Sequence, residues 1–381
     1  MTSFPNNGHV KAVNQRMDTV RLSNWDLLRS LCMLAVVVVH SGGYLGQIAG
    51  ISVGGSASTL AILCDPLFFA LSGYFAITPL KRSYSAYVLR KVQTIAVPVV
   101  VYSIALYIYA AWNSGLSLHG YIAYFAQLSS GWWFVITLFP YLLAAPVMHW
   151  MLEKLDDGQI RFVAKLALVF TAFGIVYSTA SWALRATGHE TLAAGLGIVK
   201  WFTPTVLVPW SGYTMYFCLG YFFRRLAPTV SAANRKKWIV AGLALWLFDV
   251  VAAYFGVDRA DPSYPWLFAT IAVLLVFDKI KIQSPRLQKV FEWTGRRSFA
   301  IYLLQYTTIA LVAPFIYDTV LGGGVAALAA PLRLMWWIVM VVGAWALALA
   351  VASVVDTTVV RATQAVFGRA VAVVQGRCKN G

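Results

Sequence analysis

Charge is what this sequence has least of. Of its 381 residues only 12% are Asp, Glu, Lys or Arg, and 14 are acidic, while 60% are hydrophobic and 15% aromatic. A water-soluble globule of this size needs more polar surface than that to cover itself, so a soluble protein is excluded and a bilayer must be the solvent. Cysteine is scarce as well. Cys32, Cys64, Cys218 and Cys378 have no metal-ligand spacing, and the first three lie in apolar stretches where a thiol behaves as a small hydrophobe, so neither a metal site nor a disulfide framework is expected. The chain also lacks an internal repeat, a glycine-rich phosphate loop, a long linker and any segment large enough for a separate soluble domain.

What is there is a series of apolar runs. A membrane span needs ~20 largely apolar residues, and ten runs qualify, at about 25–45, 60–80, 92–112, 132–151, 162–181, 206–224, 238–256, 264–280, 298–320 and 333–356. The sixth follows an ambiguous stretch from Thr191 to Val208 that fits a re-entrant or interfacial helix, and the eighth is short and begins beside Pro262 and Pro265. Basic residues test this division independently, because they took no part in placing the spans. With the amino terminus in the cytoplasm, 25 of the 30 basic residues fall in cytoplasmic loops and tails. Four, Arg185, Lys200, Arg259 and Arg333, fall outside, and Arg29 lies within the first span. The predicted fold is therefore an all-α polytopic transmembrane helical bundle of about ten spans with both termini cytoplasmic. The same asymmetry accounts for the formal net charge of +16 without a nucleic-acid partner.

The domain division that follows is a flexible cytoplasmic tail over 1–24, a transmembrane domain over 25–356, and a cytoplasmic or interfacial tail over 357–381. The basic residues Lys11, Arg16 and Arg21 before the first run superficially resemble a signal peptide. Arg29 and His40 within that run weaken an export signal, and no cleavage is expected. Tryptophans at the span ends, among them Trp25, Trp112, Trp132, Trp150, Trp201, Trp210, Trp266 and Trp337, read as interface anchors.

An ionisable group inside a span costs roughly 2.5–3.5 kcal/mol on insertion scales, so each needs a reason to be there. Arg29 and His40 are eleven residues apart, which is three helical turns plus about 20°, so they project from one face about 16 Å apart along the axis. They are expected to line one polar stripe from the cytoplasmic edge to the outer half. Taken alone, Arg29 reads equally as a snorkelling arginine and His40 as a core histidine. In the second span Asp65 and Ser72 share a face, seven residues apart, and antiparallel packing of the first two spans would bring Asp65 to the depth of His40, where it could fix the imidazole tautomer. Asp65 also reads as a helix-start cap, and Ser72-Gly73 as small-residue helix packing. Lys81-Arg82 and Arg90-Lys91 form a basic patch at the cytoplasmic mouth of the same helices, ordinary decoration or a phosphate contact.

Arg29, ten intervening residues and His40, followed by Phe68-Phe69-Ala70-Leu71-Ser72-Gly73-Tyr74, resemble the signature of the acyltransferase-3 family of integral-membrane O-acyltransferases. Arg90-Lys91 leading to Pro98, Trp132-Trp133-Phe134 through Tyr141-Leu142, Gly220-Tyr221-Phe222-Phe223-Arg224, and Gly295 through Leu304 are similar to later motifs of that family in the same order, over roughly 25–320. Two positions depart from the pattern: Gln305 stands where a histidine is common, and Gln93 or Thr94 where a further basic residue is common.

The resemblance implies transfer of an acyl group, usually acetyl, from cytoplasmic acyl-CoA, here acetyl-CoA, to a hydroxyl of a glycan or lipid-linked sugar in the cell envelope. The setting it implies is a bacterial inner or plasma membrane, with membrane lipid as the surrounding partner and no metal. In that chemistry His40 is the expected base for the acceptor hydroxyl. Arg29 would hold a carbonyl oxygen or a CoA phosphate, and Asp65 would orient the imidazole. Ser72, Arg90, Lys91, Trp133 and Tyr302 are the expected substrate contacts. Intramembrane charge also marks transport routes, so an exporter of a polysaccharide or small metabolite is the competing expectation.

Overall fold

A chain in a bilayer must satisfy its backbone polar groups within itself, which is why long apolar runs here fold as helices. The computed structural model describes residues 22–48, 51–197, 212–255, 257, 261–324 and 328–377. The amino-terminal tail before Leu22, Lys200, Trp201, Trp210, Arg259 and Cys378, on which several expectations fell, lie outside the described residues. In chain order the helices are α1 (Ser23–Leu45), α2 (Val53–Ala61), α3 (Cys64–Ala76), α4 (Tyr84–Ala111), α5 (Leu118–Gly131), α6 (Trp133–Glu153) and α7 (Asp157–Ala186). They continue as α8 (Glu190–Gly195), α9 (Tyr213–Leu226), α10 (Ala232–Tyr254), α11 (Pro265–Phe277), α12 (Pro285–Arg296), α13 (Ser298–Val320), α14 (Ala330–Val355) and α15 (Arg361–Arg377).

Eight of these stretches are long and apolar enough to cross a membrane, counting α2 and α3 as one and α14 with its extension as one. Each coincides with an expected span. The sixth and eighth expected spans are represented by the shorter α9 and α11, of 14 and 13 residues. Both are held inside the bundle by neighbours: α9 against α3, and α11 against α10. Such a helix is covered by protein rather than lipid and need not match the bilayer thickness.

The contact between α3 and α9 depends on glycine. A Cβ on Gly73 would run into the carbonyl of Phe217, and one on Gly220 into backbone atoms of Ala70 and Tyr74. Two helices approach this closely only through such positions. Gly73 and Gly220 of the two motifs are therefore a packing device.

Proline inside α6 creates the opposite need. Pro146 has no N–H for the carbonyl of Leu142, one turn earlier. Tyr87 of α4 donates its hydroxyl to that carbonyl at 2.5 Å, and Tyr84 donates to the carbonyl of Leu143 at 3.0 Å. Tyr87→Phe is expected to leave a buried acceptor unpaired and to cost about 1–3 kcal/mol. Thermal unfolding in detergent measures this, and an unchanged melting temperature would remove the role assigned to Tyr87.

Three charged residues inside the bundle, Arg224, Arg235 and Asp249, have the partners that membrane burial requires. Arg224 donates to the carbonyls of Tyr74 (2.6 Å) and Ile77 (2.5 Å), covering the carboxyl end of α3. Arg235 meets the carbonyl of Leu275 at 2.9 Å and the carboxylate of Asp278 at 3.0 Å. Asp249 accepts from Ser263 at 2.6 Å and from the indole of Trp266 at 2.9 Å, tying α10 to the start of α11.

Several tryptophans expected at the interface are core residues instead. Trp25, Trp132, Trp266 and Trp337 are buried, and the indoles of Trp132 and Trp337 donate to the carbonyls of Leu303 and Ser41. Trp112 and Trp150 are exposed, as anchors should be. A tryptophan N–H finds a carbonyl partner as readily between helices as at a headgroup, and position in the sequence does not separate the two.

At the carboxyl end, α14 does not stop at the expected boundary of 356. A π-helical turn over Asp356–Val360 leads directly into α15. A second such turn, Val92–Ala96 in α4, packs against α15. There Gln93 and Gln364 exchange bonds, each side-chain amide donating to the other's backbone carbonyl at 2.8 Å.

Candidate active site

α1 carries the two ionisable residues that the sequence singles out, and the structure gives them different neighbours. Arg29, with a side chain 25% exposed, has one guanidinium nitrogen 3.2 Å from buried Asp26 and lies 4.6 Å above the ring of Phe75 at the end of α3. Next to it Ser30 and Thr294 share a hydrogen bond of 2.6 Å, which seats this end of α1 on α12. His40, half-buried three turns further on, meets Tyr306 of α13: the phenol oxygen lies 3.2 Å from Nδ1 and 3.3 Å from Nε2, with ring centroids 4.5 Å apart.

The expected polar stripe between them is interrupted. Met33 and Val36 occupy the same face of α1 and are packed into the core. Neither Arg29 nor His40 lines either of the two larger cavities described below.

Asp65 does not reach the imidazole. It lies half-buried at the start of α3, accepts from the thiol of Cys64 at 3.5 Å, and makes no bond to His40 among the described residues. It does lie within electrostatic range of Tyr213, Tyr302 and Tyr306. Tyr306 is therefore common to the surroundings of His40 and of Asp65. No earlier motif pointed to Tyr306, although its spacing of one turn from Tyr302 places the two on one face of α13. The adjacent Gln305, at the position where a histidine is common, is fully buried, and neither the nitrogen nor the oxygen of its side-chain amide has a partner among the described residues.

The other expected contacts divide between packing and surface. Tyr302 is buried and donates to the carbonyl of Gly131 at 3.0 Å, and Trp133 packs 5.2 Å from Tyr213 and 6.3 Å from Phe69. Both sets of contacts lie between helices. Ser72 is half-buried beside Gly73. Lys91 lies 5.3 Å above the ring of Tyr87. Arg90 is exposed and, with Arg82, lines a cavity of about 580 Å³ between α4 and α15. A larger cavity, of about 800 Å³, lies on the other side of the Gln93–Gln364 pair. Its walls are α4, α12, the start of α13, the turn before α15 and the first residues of α15.

The matched family model, described as an acyltransferase domain, covers residues 22–355. The chain belongs to the acyltransferase-3 family and is a multi-pass membrane protein. A relative in Bacillus subtilis (strain 168), named "Putative membrane-bound acyltransferase YfiQ", is 25% identical over 178 residues, covering 45% of this chain and 45% of that protein. The matched segment thus spans less than half of the relative's length. No solved structure matches the chain.

Proposed function

We propose that the chain moves an acyl group, acetyl in the simplest case, from acyl-CoA at the inner face to a hydroxyl of a cell-envelope glycan or glycolipid. Family membership supports acyl transfer, and the observation that carries the site is the His40–Tyr306 pair. With the phenol oxygen accepting from the imidazole N–H, the other ring nitrogen keeps its lone pair and is available as a base. In the reaction, that nitrogen takes the proton of the acceptor hydroxyl while its oxygen attacks the thioester carbonyl. A carbon–oxygen bond forms, the carbon–sulfur bond breaks, and the CoA thiolate leaves to be protonated.

The charge pattern puts the basic ends of the helices, with both cavities, in the cytoplasm, and His40 in the outer half. The stretch of α1 between Arg29 and His40 is uncharged, which suits the neutral arm of a CoA thioester and not its phosphates. Gln305, adjacent to Tyr306 in α13 and a buried amide without a partner among the described residues, is our candidate donor for the thioester carbonyl.

Mass spectrometry of envelope carbohydrate from cells with and without the chain tests the reading. Acyl esters that disappear with the protein support it, and identical ester content overturns it. Within the site, Tyr306→Phe is expected to lower kcat about three- to tenfold with little change in KM, the loss of one orienting hydrogen bond. A KM effect alone would place Tyr306 in binding rather than in orienting His40.

A further inference from the structure

The cavity of about 800 Å³ falls within the ~300–1,000 Å³ range of small-molecule sites. Its charge is unbalanced. Four cationic side chains line it, Lys289 and Arg296 from α12, Arg297 at the α12–α13 junction and Arg361 at the start of α15, against the two carboxylates Glu292 and Asp356. Arg296 is bonded to Glu292, and Asp356 accepts from the hydroxyl of Tyr102 at 2.8 Å and lies within electrostatic range of Arg297, which leaves two cations in excess. Lys289 and Arg361 are exposed and make no side-chain bond among the described residues.

Arg297 is the most telling. It lies 4.7 Å above the ring of Trp293 and one of its nitrogens donates to the carbonyl of that residue, but its Nε is buried with no acceptor among the described residues. Leaving a buried charged donor unmade is costly, and a guanidinium suits the oxygens of a phosphate. Trp293 and Phe299 add aromatic surface to the same walls.

We propose that this cavity is a phosphate-binding site, formed by Arg297, Arg361, Arg296 and Lys289, in which α15 is an obligatory wall. Two sources present that chemistry at the inner face of a membrane: the phosphates of the nucleotide end of an acyl-CoA donor, and the headgroup of an acidic phospholipid. The first source rests on the function proposed above, whereas the phosphate site does not. It also relocates the donor's phosphates from Arg90 and Lys91 to the far side of the Gln93–Gln364 pair.

The test uses the full chain with two probes and two double variants. Coenzyme A binding is measured in detergent by calorimetry, and retention of phosphatidylglycerol against phosphatidylcholine is measured by native mass spectrometry from nanodiscs. Lys289→Gln with Arg361→Gln removes two exposed cations from this cavity, and Arg82→Gln with Arg90→Gln does the same in the neighbouring one. Both variants should keep the parental melting temperature.

Loss of two charge-assisted contacts should weaken the bound probe by about tenfold or more. Coenzyme A binding lost only in the Lys289/Arg361 variant establishes the site and the nucleotide source. Phosphatidylglycerol retention lost only in that variant establishes the site with a lipid source, and if coenzyme A also fails to bind the parental chain, the acyl-CoA reading falls while the site stands. Coenzyme A binding that follows the Arg82/Arg90 variant, with lipid retention unchanged in both variants, overturns the proposal and spares the transferase reading. Parental behaviour of the Lys289/Arg361 variant toward both probes also overturns it.

Discussion

Alanine at position 40 is expected to reduce acyl transfer at least ~100-fold while the protein folds normally, since a positioned general base contributes about 10²–10⁴ to such a reaction. The side chain is only half-buried and its polar contact among the described residues is Tyr306, so removing it disturbs no network on which the bundle depends. The readout is the initial rate of radiolabelled acetyl transfer from acetyl-CoA to an envelope extract by purified protein, with gel filtration confirming the fold. A parental rate would remove His40 from the chemistry. A loss accompanied by aggregation would assign it to packing, and His40→Gln, which keeps a polar side chain of similar reach without a base, separates the cases.

The second large effect is structural. Gly220→Val should cost about 3 kcal/mol or more, above the usual range for overpacking, because the added atoms meet backbone. The new Cβ would collide with Ala70 and Tyr74 and come within 2.8 Å of the carbonyl carbon of Gly73, none of which can rotate away. α3 and α9 would have to separate, and with them the carbonyls that Arg224 covers. Gly343→Ala is the comparison: its Cβ would meet only the side chain of Val312, at 3.3 Å, and should be tolerated. Melting temperatures in detergent distinguish the two, and equal shifts would mean that the α3–α9 contact is not glycine-dependent.

The sequence made much of this architecture legible because a bilayer imposes length, apolarity and charge asymmetry on every span. The shortfall of α9 and α11 arises because hydropathy cannot tell a helix surrounded by lipid from one surrounded by protein. Arg224 and Asp249 were not singled out for a related reason. Their partners are carbonyls and side chains brought together by packing, although a lone carboxylate within the apolar run 238–256 was a signal available to be read.

At the site, helical geometry puts Arg29 and His40 on one face of α1, but says nothing of what stands opposite. Phe75 faces one and Tyr306 the other, and Met33 and Val36 fill the face between. The expected Asp65 contact assumed equal depth for two helices. α13 also packs against α1, and it gives His40 a tyrosine instead. The role of α15 was also hidden, since a helix boundary at 356 is what composition suggests and a π-helical turn is what the chain adopts.

The central claim is that this bundle breaks a thioester rather than passing an intact molecule through the membrane. Purified protein in liposomes, given acyl-CoA inside and envelope carbohydrate outside, should release one CoA thiol for every acyl ester formed, with both products falling together in the His40→Ala variant. Carbohydrate or acyl-CoA that crosses the bilayer unmodified, with no thiol released, would contradict it.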